Sequence, residues 1–135
     1  MSEKRKTLLD SFAMLAFLNK ESGFEKVRSL LREAERSNEA LLMNEINIGE
    51  VYYITAKNRS FELAEDFLNR FQTLPIKTTA NSFPHVLEAA RLKARFPISY
   101  ADAFAAATAI RMDAVVVTGD PEFRRVEHLV TVNWL

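Results

Sequence analysis

Two acids stand where apolar runs end. Asp10 follows residues 7–9 (Thr-Leu-Leu), and Asp120 follows residues 114–118 (Ala-Val-Val-Val-Thr) after one glycine, Gly119. Both runs have the make-up of buried strands, the second above all, because a strand covered on both faces is apolar almost throughout. In a parallel sheet the carboxyl ends of all strands open on one edge, and ligands bind there. Acids 110 positions apart can therefore converge. Glu50 and Asp102 fall in helices adjoining such strands and can face the same edge. Four carboxylates drawn together repel one another, and in a poorly hydrated cleft some take up protons unless a cation is present. Hard oxygen donors of this kind suit Mg2+ or Mn2+. Such an ion holds a phosphate, acidifies a bound water and stabilises charge on pentavalent phosphorus, so phosphodiester hydrolysis is a natural use of the set. The plain alternative stays open at each position. Asp102 lies three residues after Ser99, as a capping-box partner does, and Gly119-Asp120-Pro121 also describes an ordinary turn. Glu45 reads as a first-turn acid favoured by the helix dipole.

The elements that must position these acids alternate strand with helix. A first strand at residues 7–9 runs into a helix start at residues 12–18. A helix with Phe24, Val27, Leu30, Leu31 and Ala34 at helical spacing follows, with Ser22 as cap and Glu25 closing the box. Residues 40–43 form a second strand, and Asn44 caps the helix that carries Ile46, Val51 and Ile54. Another helix runs over residues 61–73 behind Ser60, and a brief strand over residues 75–78. A helix over residues 81–95 tolerates Pro84 in its first turn and stops before Pro97. Ser99 caps a helix that continues to about Arg111, the strongest strand spans residues 114–118, Asp120 sits in the loop leaving it, and residues 130–134 supply a last strand. The pattern predicts an α/β fold in one domain covering residues 1–135.

Bulk properties narrow the classes. At 135 residues with 48% hydrophobic and 27% charged content, the chain has material for a core. No cysteine is present, which removes disulfides, thiolate zinc sites and cysteine nucleophiles and fits a reducing cytoplasm. Residues 1–6 are basic, but the apolar run after them is short and holds Asp10, so no signal peptide is expected. No stretch approaches the ~20 apolar residues of a membrane helix. Eighteen Lys plus Arg balance eighteen Asp plus Glu, so charge alone makes no case for nucleic acid. Only three glycines occur, with no glycine-rich fingerprint or Walker lysine, which excludes Rossmann-type nucleotide binding. A haloacid-dehalogenase-like phosphatase wants a second Asp two residues after the first, and that position is Phe12. The acid spacing also fits a receiver-type signalling domain poorly.

Four segments carry a resemblance. They are Leu8-Leu9-Asp10-Ser11, then Asn44-Glu45-Ile46-Asn47-Ile48-Gly49-Glu50-Val51-Tyr52-Tyr53, then Ile98-Ser99-Tyr100-Ala101-Asp102-Ala103-Phe104-Ala105-Ala106-Ala107, and Val117-Thr118-Gly119-Asp120-Pro121-Glu122-Phe123. In order and spacing they resemble PIN domains, and among these the VapC-like ribonuclease toxins of prokaryotic toxin–antitoxin pairs. The resemblance covers residues 7–135. It implies a three-layer α/β/α sandwich on a mostly parallel short sheet. It also implies metal-binding roles for Asp10, Glu50, Asp102 and Asp120, and a small polar residue, Thr118, that helps hold water or a carboxylate. All four acidic positions are filled. The activity implied is Mg2+- or Mn2+-dependent endoribonuclease cleavage, with an RNA substrate, a small antitoxin partner, a homodimer and a cytoplasmic location. Two other readings of the fold stay open: an RNA-processing nuclease that is no toxin, and a protein-interaction module without turnover.

Around the four acids, Asn47 lies one turn before Glu50 on its face, as a hydrogen-bonding partner or an ordinary surface amide. Ser11 either bonds Asp10 or substrate or caps the first helix. Glu122 either joins the metal site or faces water. Arg124 and Arg125, just past the Asp120 loop, are the candidate phosphate contacts, against a solvated basic turn. Tyr52, Tyr53 and Tyr100 either stack on bases or pack in an interface, and Phe12 is read as core or interface. His85 and His128 have no metal partners in the sequence pattern and are read as structural or surface residues.

Overall fold

The computed structural model describes residues 5–135; residues 1–4 of the basic amino-terminal segment lie outside the described residues. Five short strands form one sheet: β1 (Lys6–Leu9), β2 (Leu41–Asn44), β3 (Ile76–Thr79), β4 (Ala114–Thr118) and β5 (Val132–Trp134). Their order across the sheet is β3-β2-β1-β4-β5, and every pairing is parallel. The chain thus builds outward from β1 through β2 to β3, then returns to the other flank of β1. That reversal puts the carboxyl ends of β1 and β4 at a topological switch point, the usual ligand position in open α/β sheets.

Helices α1 (Ser11–Leu18), α2 (Phe24–Ser37), α3 (Glu45–Asn58) and α4 (Phe61–Phe71) precede α5 (Phe83–Arg95) and α6 (Tyr100–Met112). Alternate strand residues point to opposite faces of a sheet, and two cores result. Leu9, Met43 and Val117 pack with Met14, Phe17, Val27, Val51 and Phe67 from α1 to α4. Leu8, Leu42 and Val116 pack with Ala89, Ala103, Phe104 and Ala106 from α5 and α6. The result is the expected three-layer α/β/α sandwich.

Several local expectations hold because the caps are real. Asn44 accepts from the Ile46 N–H at 2.9 Å, Ser60 from Leu63 at 3.0 Å, and Ser99 from Asp102 at 3.1 Å. Two differ. Helix α2 is capped by Gly23 in the left-handed region (φ 96°), with no side-chain bond, so the Ser22–Glu25 box does not form. The glycine is needed there, since a Cβ would also come within 3.0 Å of the Leu135 side chain. Behind Asp120, where the sequence reading placed only the loop Gly119-Asp120-Pro121, the chain coils into a 3-10 helix (Pro121–Val126). No helix among the described residues is long and apolar enough to cross a membrane.

Candidate metal centre

The β1–β4 register sets the first half of the site. Leu9 pairs with Val117, so the next residues, Asp10 and Thr118, come side by side. The Thr118 hydroxyl donates to Asp10 Oδ2 and accepts from the Asp120 N–H at 2.9 Å. Asp10 Oδ1 accepts from the Ala13 N–H at 2.9 Å and so caps α1. Ser11 does not take that role, nor does it bond Asp10: its hydroxyl donates to the Asn47 carbonyl at 3.2 Å. The chain bends sharply from β1 into α1, and the cap position falls to the residue that leaves the strand. Asp10 is 1% exposed. Burial, against the opposing Thr118 and Ala13 hydrogen bonds, pushes its carboxyl up to about 7, with the charges of Asp120 and Glu50 adding to the rise.

Helix α6 supplies the second half. Every residue from Asp102 to Ala109 is buried, and six of that run's eight are alanine or threonine, small enough to let the helix sink against the sheet and α5. Asp102 rides into the interior with it. A capping box would turn the Asp102 carboxylate back onto the Ser99 N–H. Instead Glu122 Oε1 accepts from Ser99 N at 2.9 Å, which leaves the Asp102 carboxylate for the site. Asp120 in turn caps the 3-10 helix, its Oδ1 accepting from Glu122 N at 2.9 Å, and that turn carries Glu122 round toward Asp102.

Asp102, Asp120 and Glu122 each offer a carboxylate oxygen, all within 4.8 Å of one another. They are the group of this kind among the described residues; Asp10 and Glu50 stand just outside it, near enough for Asp10 to act on Asp102 through its charge and for Glu50 to act on Asp10. Burial first, then hydrogen bonding with Glu122 and Asp120, pushes the Asp102 carboxyl up to about 9. The Glu122 carboxyl is held below its usual range by its hydrogen bond with Asp102 and then by the Ser99 N–H. The two carboxyls thus shift in opposite directions, Asp102 toward its protonated form and Glu122 toward its charged one. Asp102 Oδ2 is buried with no hydrogen-bond partner. A buried acceptor in an all-oxygen cluster, short of a partner and crowded by like charge, is what a divalent cation relieves, and the residues present fit one.

Around the centre, Asn47 is fully buried; its Nδ2 donates to Ser11 Oγ at 3.2 Å and to the Ala101 carbonyl at 3.1 Å. It ties α3, which carries half-buried Glu50, to α1 and to the first turn of α6. Arg125 donates to the Pro97 carbonyl at 2.6 Å and lies 3.7 Å from Glu122. Arg124 lies over the Trp134 ring at 4.7 Å and 3.9 Å from Glu127. Both guanidinium groups are thus engaged within the fold. The membership of Glu122 was the least legible feature in the sequence. Its signal was the Asp-Pro-Glu spacing, which places an acid two residues into a turn capped by the first.

The family model described as PIN domain matches residues 7–129. The chain belongs to the PIN domain family. Among solved structures, this PIN domain is similar to VapBC2 from Rickettsia felis bound to a DNA fragment from their promoter (TM-score 0.75, 18% identity, 95% of this chain and 97% of that chain). It is also similar to VapC20 of Mycobacterium tuberculosis, a toxin that cleaves the sarcin-ricin loop (TM-score 0.73, 11% identity, 90% and 95% coverage). A toxin–antitoxin complex from Klebsiella pneumoniae matches with TM-score 0.61, 17% identity, and 93% and 97% coverage. At these identities the likeness is one of fold. A search among curated protein sequences finds no match.

Proposed function

We propose that this PIN domain is a metal-dependent endoribonuclease and the toxin of a toxin–antitoxin pair. The observation that carries the reading is the buried, unpartnered Asp102 Oδ2 inside a cluster of carboxylates at the sheet's switch point. Asp102, Asp120 and Glu122 would hold Mg2+ or Mn2+, with Asp10 and Glu50 completing the negative field around it. When bound, the ion supplies Lewis-acid stabilisation of the phosphate charge and lowers the pKa of water. Asp10 is fixed at both oxygens, by Thr118 and Ala13, and so serves as a rigid wall of the site. Glu50 makes no hydrogen bond among the described residues and is left to orient the attacking water. Asn47 sets the helix on which Glu50 stands. Thr118 couples the two strand-end acids, so neither turns away from the other.

The solved structures it resembles include a toxin–antitoxin complex and a toxin that cleaves the sarcin-ricin loop, and they support carrying RNA and a small antitoxin protein to this chain as substrate and partner. A homodimer in the cytoplasm belongs to the same reading. Purified protein incubated with mixed RNAs is expected to cleave them with Mn2+ or Mg2+, to stop on addition of excess EDTA, and to lose cleavage in Asp10→Asn and Asp102→Ala variants. Cleavage that survives EDTA, or survives Asp10→Asn in a preparation free of wild type, would overturn the scheme.

A further inference from the structure

Phe12 is an exposed aromatic fixed beside the acidic cluster. It is 41% exposed, although Asp10, Ser11 and Ala13 around it are buried. Its backbone is held on both sides: Asp10 caps α1 through the Ala13 N–H, and the Ser11 hydroxyl is tied to Asn47. The ring lies against Gly119, the residue between Thr118 and Asp120. A Cβ at position 119 would meet Phe12 Cε1 at 2.4 Å and Cζ at 2.9 Å. Gly119 is not in the left-handed region, where Gly23 is the glycine found. The turn therefore does not call for glycine at 119; the approach of the ring does.

A solvent-facing ring resting on the loop that presents Asp120 adds little to either core, whose members do not include it. Cations near the cluster, Arg125 and Lys93, act on Glu122 through their charge. Arg124 and Arg125 are engaged by Trp134, Glu127, Pro97 and Glu122, and the chain's net charge is zero. Stacking of a base on an aromatic ring is the nucleic-acid contact that needs no charge, and it selects unpaired nucleotides, whose faces are free. We propose that Phe12 is the base-stacking residue of the site: the part of its ring left open by Gly119 takes an unpaired base of the RNA next to the phosphate held at the acidic cluster. A base is then required at that nucleotide. This rests on the ribonuclease reading above.

The test uses single-stranded RNA oligonucleotides carrying 2-aminopurine at each position in turn, and matching oligonucleotides with an abasic nucleotide there. With Ca2+ in place of Mn2+, so that the cluster is neutralised and binding is read before turnover, wild-type protein should quench 2-aminopurine at one or two positions, and Phe12→Ala should abolish that quenching. With Mn2+, Phe12→Ala should raise KM about tenfold with little change in kcat, a typical loss for one stacked base. Phe12→Trp should restore KM and Phe12→Leu should not. The abasic substrate should bring wild type and Phe12→Ala to the same KM. Gly119→Ala, which displaces the ring, should raise KM in the wild-type background and add nothing in the Phe12→Ala background. Unchanged quenching and KM in Phe12→Ala, or equal rescue by Leu and Trp, would overturn the proposal, whatever the substitution does to association with a protein partner. Absence of cleavage by the wild-type protein on every RNA, with position-specific quenching intact, would instead overturn the ribonuclease reading and leave the stacking contact standing.

Discussion

The single residue that does most at this site is Asp102, and its behaviour rests on proton linkage. Both Asp102 and Asp10 have carboxyl groups raised from an ordinary 3.8, to about 9 and about 7, chiefly by burial. A group that binds its proton more tightly folded than unfolded contributes stability that is full at low pH and is lost as pH rises through the folded value. The metal-free protein is therefore expected to lose thermal stability steadily as the pH is taken from about 5 to about 9. The lowered Glu122 group acts in the opposite sense but below that window. Mn2+ replaces the lost protons, so its stabilising shift in Tm should grow over the same range. Asp102→Asn keeps a neutral side chain of the same shape. It should flatten the metal-free pH profile and weaken Mn2+ binding by at least about tenfold. Calorimetric titration and thermal melts against pH read both effects. A metal-free Tm that rises toward alkaline pH would contradict the linkage.

At the scale of elements, the site is an assembly of helix and strand ends, and one buried amide holds three of them together. Asn47 donates to Ser11 on α1 and to Ala101 in the first turn of α6 from its own seat on α3. Removing it takes a donor from the buried Ser11 hydroxyl and from the half-buried Ala101 carbonyl. Leaving such groups unpaired costs about 1–3 kcal/mol, and Asn47→Ala should shift the urea midpoint by a corresponding amount. Because Glu50 and Asp102 sit on the helices so joined, cleavage should fall further than the stability loss alone explains under conditions where the variant is fully folded. A variant that loses stability but retains full kcat would show that Asn47 supports the core and not the site. The Ala-rich α6 acts in the same way, since only small side chains let Asp102 enter the interior behind its cap.

For the whole molecule, the notable property is electrical balance. Equal numbers of acidic and basic side chains give a net charge of zero. The arginines nearest the Asp120 loop contact Trp134, Glu127, Pro97 and Glu122. Affinity for single-stranded nucleic acid falls with salt in proportion to the phosphates neutralised, with a slope of roughly −0.7 for each one. A plot of log KM for RNA against log salt, at fixed Mn2+, should therefore be shallow, with a magnitude below about 2. A steep dependence would mean that surface cations elsewhere on the molecule track the RNA backbone.

The fold was legible from one sequence because its signals are local. Apolar runs at residues 7–9 and 114–118, caps at Asn44, Ser60 and Ser99, and alternating strand and helix periods each depend on neighbouring residues only, and together they allow few arrangements of layers. The four acids could be named for the same reason, since each follows a strand or opens a helix turn, or sits one turn past Asn47. Which acids meet in space was not local. The β1–β4 register sets Asp10 against Thr118, and the 3-10 turn brings Glu122 to Asp102 and Ser99 across 20 or more positions of chain. The glycine at 119 likewise has its reason in a ring over a hundred residues earlier. Sequence determined the parts and the edge on which they gather; only the packed molecule decided their partners, because a carboxylate's neighbours are set by distances through space that local pattern does not encode.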